Sequence, residues 1–366
     1  MFKRIDIQFE ADYPIYIGTH LFETQWIDYC KTLKQRLVMV TDSNLVSSLG
    51  ENLKNKLLAA NIDVELLCIP AGETNKTRET KQQLEDCLFA RNYGRDTCLI
   101  ALGGGVVTDL VGFVAATYCR GIPVMYLPTT LLAMVDASIG GKTGVDTPYG
   151  KNLVGAFYQP QAVFMDLDVL KTLPENEFRN GMVEVLKHGL IKDAAFFRTL
   201  QAHVIQFNEQ LLLLDIIYAS CLIKKEIIEQ DEQDHGIRQL LNFGHTIGHA
   251  IESIEAFKVS HGEAVAIGMI VEAYISALSG LLEMSIVTEI EQTLRDYNLP
   301  LKTDAFVDLE RFKRALGLDK KALKNQPFFV LLDSIGHTHE ERDTLVFSVE
   351  SVLLEKALDW AKTKFT

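Results

Sequence analysis

Short apolar runs rich in β-branched residues alternate with helical segments through the first half of this chain, and that alternation limits its fold more than any other feature. "RLVMVTD" and "VELLCIP" read as strands, with the helical "NLVSSLGENLKNKLLAA" between them. "TRETKQQLEDCLFARNY" reads as a helix, "TCLIALGGG" as a strand and "DLVGFVAATYCRG" as a helix, before the strands "PVMYLPTT" and "AVFMDLDVL". Strands separated by helices require crossover connections, which place successive strands parallel in one sheet. In such sheets ligands bind beyond the carboxyl ends of the strands.

The character changes after about Pro174. "PENEFRNGMVEVLKHGLI", "LLLLDIIYASCLIKKEIIEQ", "NFGHTIGHAIESI" and "GEAVAIGMIVEAYISAL" all carry helical periodicity. A length of 366 residues favours two domains over one. The expectation is an α/β nucleotide-binding domain over 1–170, mostly parallel and Rossmann-like, followed by an all-α domain over 171–366.

Charge excludes some partners. The chain carries 36 Lys and Arg against 49 Asp and Glu, a formal charge of −13. It lacks the basic footprint that nucleic acid requires. A negative chain binds an anion only where cations concentrate locally, so clustered lysines matter here. The cysteines Cys30, Cys68, Cys87, Cys98, Cys119 and Cys221 form no CxxC pair, and most sit in apolar stretches. Reduced, buried thiols fit a reducing compartment. The N-terminus "MFKRIDIQFE" alternates like a strand and lacks a signal-peptide core. The longest charge-free run, between Arg120 and Asp136, is too short to span a bilayer and holds two prolines. A cytoplasmic protein with no membrane association is expected.

Three residue groups suggest chemistry. In the first, "ALGGGVVTD" passes from an apolar strand through Gly103, Gly104 and Gly105 to a helix opened by Thr108 and Asp109. Glycines there let the backbone approach a pyrophosphate at a helix N-terminus. A tight strand-to-helix turn would look the same, and Thr108 replaces the third glycine of the dinucleotide fingerprint. Asp42 follows a strand, where an acid can accept from a ribose hydroxyl or cap the next helix. Glu73 and Lys76 in "PAGETNK" and the pair Thr129-Thr130 also fall at strand ends. Four such loops together favour NAD.

The second group suits a metal. "NFGHTIGHAIE" sets His245 and His249 four residues apart on one helical face, His261 opens the next helix, and Glu184 lies in "GMVEVLKHG". Imidazoles with a carboxylate suit zinc, and three protein ligands leave a position for substrate oxygens. Glu252 and Glu263 compete as ligands, and spacing alone does not choose among these groups. HExxH is absent, which argues against a zincin protease.

The third group is cationic. Lys142 and Lys151 flank the glycine-rich "DASIGGKTGVDTPYGKN", read as a polar loop. Lys187 follows Glu184 by three residues, and Lys224, Arg238 and Lys320-Lys321 complete the group. Lysines usually solvate a surface, but those in glycine loops near a metal can grip phosphate and carboxylate. Together the three groups ask for NAD, a divalent cation and an anionic polyol.

"LGGGVVTDLVGF", "RGIPVMYLPTTLLAMVDASIGGKTGVD", "GKNLVGAFYQP", "EVLKHGLI", "LNFGHTIGHAIE" and "HGEAVAIGM", in order and closely spaced, resemble the motifs of the 3-dehydroquinate synthases within the sugar-phosphate cyclase superfamily. The likeness runs from about Asp42 to Lys321. It implies a homodimer that holds NAD in the α/β half and zinc or cobalt on Glu184, His245 and His261, with His249 catalytic or touching substrate. By motif position it carries NAD contacts to Asp42, Glu73, Lys76, Gly104, Gly105, Asp109, Thr129, Thr130, Lys142, Lys151 and Thr172. It carries substrate contacts and catalytic roles to Asp136, Lys142, Asn152, Lys187, Lys224, Arg238, Asn242 and Lys321. Arg120 matches an arginine set against the substrate phosphate across the dimer interface. Thr108 stands where many members have glycine, and Asp146 where many have asparagine. The implied substrate is a phosphorylated sugar acid, 3-deoxy-D-arabino-heptulosonate 7-phosphate. Another sugar-phosphate cyclase, of the 2-deoxy-scyllo-inosose synthase type, and a metal-dependent polyol dehydrogenase are the competing readings.

Overall fold

A computed structural model describes residues 2–9, 12–256, 258–317 and 327–366. The chain divides into two compact units. The first comprises Met1–Phe178 with Phe207–Lys225, and the second Arg179–Gln206 with Glu226–Thr366.

The first unit is built on strands β1 (Phe2–Ile7), β2 (Tyr13–Gly18), β3 (Arg36–Asp42), β4 (Val64–Ile69), β5 (Thr97–Gly103), β6 (Val124–Pro128), β7 (Lys142–Thr147), β8 (Gly150–Phe157) and β9 (Ala162–Asp166). Helices α1 (Gln25–Thr32), α2 (Glu51–Ala59), α3 (Arg78–Ala90) and α4 (Gly105–Thr117) connect them. Seven strands form one sheet in the order β1-β2-β9-β6-β5-β3-β4. Only β1 with β2 is antiparallel; the other five pairings are parallel. This is the mixed, mostly parallel Rossmann-like sheet that the alternating pattern predicts.

The reason lies in burial on both faces. Every residue of β5, β6 and β9 is buried, so these strands are continuous apolar runs. Trp26, Phe22, Met39, Ile100 and Phe164 belong to one apolar cluster of this unit. Helix α4 is buried along Val107, Leu110, Val111 and Val114. From β3 the chain crosses to β4 on one side and returns to β5 on the other. The topological switch point therefore lies between β3 and β5, where open α/β sheets bind their ligands.

The polar loop read over 136–152 is structured further than expected. Lys142–Thr147 and Gly150–Phe157 pair as an antiparallel hairpin. Glycine-rich sequence hides a strand because glycine has little β-propensity. Here the glycines are required by contact. A Cβ on Gly155 would lie on the Thr143 carbonyl oxygen, so only glycine lets the strands approach.

The second unit is helical. It contains most of α5 (Glu175–Lys192), then α6 (Ala194–Ala202), the end of α7 (Gln210–Gln230), α8 (His245–Glu255), α9 (His261–Leu278), α10 (Met284–Asp296), α11 (Leu309–Gly317) and α12 (Ser351–Phe365). A short strand pair, β10 (Leu332–Ser334) and β11 (His337–Thr338), interrupts the all-α pattern expected of this half. Helix α9 is long and apolar enough to cross a membrane, but 78% of that window is buried inside the protein. It is a core helix. Gly268 on α9 faces α8 so closely that a Cβ would meet the Gly244 carbonyl oxygen. That contact sets the separation of the two helices that carry the histidines.

Candidate active site

The first unit gathers its predicted cofactor residues at the carboxyl edge of the parallel strands. Asp42 ends β3, Gly104 and Gly105 follow β5, Thr129 and Thr130 follow β6, and Glu73 to Lys76 follow β4. Thr129 N donates to Gly103 O at 2.9 Å and Ser43 N to Ile69 O at 3.0 Å, so adjacent strand ends are tied together. Thr172 lies in the turn beyond β9, its Oγ1 donating to Val169 O at 3.1 Å.

Helix α4 starts at Gly105 with Gly104 as its N-cap and no side-chain cap, and its first turn holds no acid. Uncapped amides at the positive end of a helix are suited to an anion. Thr130 packs beside Gly104. Asp42 Oδ1 accepts from Asn44 N at 2.8 Å, so one carboxylate oxygen shapes the turn after β3. These features fit a dinucleotide: glycine backbone and helix N-terminus for the pyrophosphate, and an acid one strand away.

Below that edge lies a buried charge network. Lys76 Nζ, 3% exposed as a residue, donates to Asp109 Oδ2 at 2.5 Å and lies 4.0 Å from Glu73 Oε1. Burial pushes the Lys76 ammonium down, but Asp109 and Glu73 outweigh it and the net direction is up. Burial pushes the Asp109 carboxyl up to about 6, against the opposing effect of Lys76. Lys151 Nζ lies 3.6 Å from Glu73 Oε1. Asp146 joins the hairpin to this network. Its N–H donates to Lys76 O at 2.7 Å, and its Oδ1 accepts from Asn152 N at 2.8 Å. An asparagine there could accept the same bond, so this departure from the motif keeps its geometry. Asn152 holds φ at +51 in the hairpin, and Lys142 is exposed at its start.

Asp136 sits in the turn Ala133–Ala137. Its carbonyl oxygen and Oδ1 accept from Lys224 Nζ at 2.6 and 2.5 Å. Lys224 belongs to the segment of α7 that packs with the first unit. Arg120 is exposed and follows Cys119 with φ at +50, itself at +69. Two consecutive non-glycine residues with positive φ mark a backbone held by its surroundings.

In the second unit Glu184, His245 and His261 bring one ligand atom each within 4.8 Å of one another. Glu184 comes from the middle of α5, whereas His245 and His261 are the first residues of α8 and α9. Glu184 Oε1 lies 3.7 Å from His245 Nε2 and 3.6 Å from His261 Nε2. Tetrahedral zinc with ligands at about 2.05 Å separates them by about 3.4 Å. The two separations from Glu184 are therefore within a few tenths of an ångström of that spacing.

The far ring nitrogens are also positioned. His245 Nδ1 lies 3.2 Å from Phe243 O, and His261 Nδ1 lies 3.5 Å from Glu252 Oε1. Both Nε2 atoms are thereby turned inward, as metal-binding histidines require. Without a cation, burial pushes the His261 imidazole down, but Glu252 and Glu184 overcome it and raise it to about 10.

The competing carboxylates have other positions. Glu263 Oε2 accepts from Ser260 N at 2.9 Å, half of a capping box at the start of α9. Glu252 faces the outer nitrogen of His261. Glu272 is fully buried and accepts from Gly244 N at 2.8 Å and Ile247 N at 3.3 Å. It supplies from α9 the cap that Gly244, with no side chain, cannot give α8. Sequence reasoning missed Glu272 because it caps a neighbouring helix rather than its own.

Of the remaining predicted residues of this unit, Lys187 lies on α5, His249 on α8, and Arg238 and Asn242 in the short helical turn Ile237–Asn242 before α8. Lys187 is buried beside Glu184 and pairs with its Oε2. His249 meets the His245 ring edge-on at 5.4 Å. Arg238, 1% exposed, donates through Nη1 to Glu232 O at 2.6 Å, and Asn242 Nδ2 donates to Gln239 O at 2.9 Å. Asp231, not anticipated, accepts the N–H of His235, Gly236 and Arg238 at 3.0, 2.7 and 3.1 Å. Burial pushes its carboxyl up, but those bonds hold it below the ordinary carboxylate range. Lys320 and Lys321 lie outside the described residues.

Sequence comparison decides the family. Residues 66–180 match the profile described as 3-dehydroquinate synthase N-terminal, and residues 181–322 match 3-dehydroquinate synthase C-terminal. The chain belongs to the 3-dehydroquinate synthase family. It is 43% identical over 331 residues to the 3-dehydroquinate synthase of Syntrophotalea carbinolica, covering 89% of this chain and 91% of that one. Among solved structures it resembles a 2-deoxy-scyllo-inosose synthase complexed with carbaglucose-6-phosphate, NAD+ and Co2+. The TM-score is 0.89 at 26% identity, covering 97% of this chain and 99% of that one. It also resembles the 2-epi-5-epi-valiolone synthase of Streptomyces hygroscopicus with NAD+ and Zn2+ bound. There the TM-score is 0.88 at 28% identity, covering 99% and 100%. The fold is thus that of the sugar-phosphate cyclases.

Proposed function

We propose that this enzyme converts 3-deoxy-D-arabino-heptulosonate 7-phosphate to 3-dehydroquinate and phosphate, a lyase step of the shikimate pathway, with NAD and a divalent metal as cofactors. The observation that carries the reading is the convergence of Glu184, His245 and His261 in a chain 43% identical to a 3-dehydroquinate synthase. The metal would be held by those three residues. NAD would be held by Asp42, Glu73, Lys76, Gly104, Gly105, Asp109, Thr129, Thr130, Lys142, Lys151 and Thr172. When bound, NAD supplies reversible hydride transfer and the metal supplies Lewis acidity toward substrate hydroxyls.

The protein supplies orientation and charge. Lys142, Lys187, Lys224 and Arg238 are assigned to grip carboxylate and phosphate. Asp136, held by Lys224, and Asn152, Asn242 and His249 are assigned to orient hydroxyls and move protons. With NAD taking up and returning the hydride, oxidation would acidify the neighbouring C–H, phosphate would leave by elimination, the ketone would be reduced again, and after the sugar ring opens an intramolecular aldol reaction would close the carbocycle. Purified protein with catalytic NAD and Zn2+ should release phosphate and dehydroquinate in equal amounts without NADH accumulating at 340 nm. Phosphate release only from another sugar phosphate would favour the 2-deoxy-scyllo-inosose type. Net NADH without phosphate would make it a dehydrogenase.

We further propose a cytoplasmic homodimer in which Arg120 reaches the phosphate of the partner's site. All six cysteines are free, which suits a reducing compartment. Sedimentation at micromolar concentration tests the dimer, and Arg120→Ala should raise KM for the phosphorylated substrate.

A further inference from the structure

Helix periodicity sets His245, His249 and Glu252 on one face of α8, at positions i, i+4 and i+7. Two of those residues already have roles in the proposed reaction; Glu252 has none. It is 3% exposed and lies in the last turn of a helix that ends at Glu255. A carboxylate is doubly unfavoured there. Burial costs it hydration, and the negative end of the helix opposes its charge. A residue retained against both effects needs positive charge nearby. Its Oε1 faces His261 Nδ1 at 3.5 Å, while the other nitrogen of that ring lies 3.6 Å from Glu184 Oε1.

We infer that Glu252 is the positioning residue for the metal ligand His261: its carboxylate accepts from Nδ1–H, fixing the ring so that the Nε2 lone pair faces the cation. The imidazole then has one available tautomer and one orientation, and the carboxylate raises its basicity as a ligand. The geometry explains an asymmetry between the two histidines. His245 is anchored by a neutral backbone carbonyl, and His261 by a carboxylate. The inner of the two competing carboxylates, Glu184, is the ligand. The outer one, Glu252, acts through His261.

This inference rests on the metal reading proposed above, so the test separates the two. Metal-free full-length protein is titrated with Co2+ alone, followed by its visible d–d absorption and by chelator competition. Glu252→Gln keeps an acceptor but removes the charge, and should weaken Co2+ binding by about tenfold. Glu252→Leu removes both and should weaken it by about a hundredfold, with an altered absorption band. If the leucine variant does not fold, the isosteric glutamine variant decides. Glu255→Gln serves as control: it sits on the same helix and caps Asp304 N at 2.8 Å, and should leave Co2+ affinity unchanged. Failure of the wild-type protein to bind Co2+ would overturn the metal reading itself. Wild-type binding with equal affinity and spectrum in Glu252→Gln, or an equal loss in Glu255→Gln, would overturn the role of Glu252 alone.

Discussion

Replacing Lys76 with methionine should produce a stability loss that grows with pH, and the network around Asp109 sets its size. The ammonium is buried 2.5 Å from Asp109 Oδ2. Removing one partner of a buried ion pair ordinarily costs about 3–5 kcal/mol. Asp109 has a less costly escape, because burial already holds its carboxyl up at about 6. Taking up a proton then costs little near pH 6 and on the order of 1 kcal/mol more for each pH unit above it. Methionine also removes the cost of burying an ammonium, so the loss near pH 6 should be close to zero. The sign follows from proton binding. In the wild type the folded state holds the Asp109 proton more tightly than the unfolded chain, so stability falls as pH rises from about 4 to 6 and then levels. In the variant the folded state keeps that proton, and stability goes on falling above pH 6 by about 1.4 kcal/mol per unit. Urea unfolding in a Trp360→Phe background leaves buried Trp26 to report the first unit. A loss that is constant between pH 6 and 8, or that persists when Asp109→Asn is added, would refute this account.

Three further outcomes follow from the geometry. His261→Ala should abolish the Co2+ absorption band while leaving NAD+ binding, measured by calorimetry, within about twofold, because the residues proposed to hold NAD all belong to the first unit and His261 to the second. Glu272→Ala strands the buried N–H groups of Gly244 and Ile247 and should lower the thermal midpoint of the second unit by roughly 1–3 kcal/mol worth of stability in calorimetry. Gly155→Val drives a Cβ onto the Thr143 carbonyl and should open the hairpin that carries Lys142, Lys151 and Asn152. NAD+ affinity should fall at least tenfold with circular dichroism otherwise unchanged.

Much of the first unit was legible in the sequence because its central strands β5, β6 and β9 are buried on both faces. A strand such as "TCLIALG" must then be apolar throughout, and the intervening helices force parallel pairing. The hairpin over 142–157 was not legible. Its strands approach through glycines, which carry no strand signal. Helix α4 also starts earlier than the polar residues suggested, at Gly105 rather than near Asp109, because backbone amides, not a capping side chain, form its first turn.

The order of residues alone specifies the inventory: a parallel α/β half, a helical half, strand-end loops suited to a nucleotide, and histidines and carboxylates in number enough for a metal. Local pattern specifies these because hydrophobic periodicity and glycine placement act over a few residues. It left three carboxylates, Glu184, Glu252 and Glu263, as candidates beside the histidines. Tertiary structure distinguished Glu184, which faces both Nε2 atoms, from Glu263 in a capping box and Glu252 behind His261. It also brought Glu272 to the end of a helix 25 or more residues away in the chain. Those assignments depend on how closely α8 and α9 pack, and contact between helices cannot be read from either helix alone.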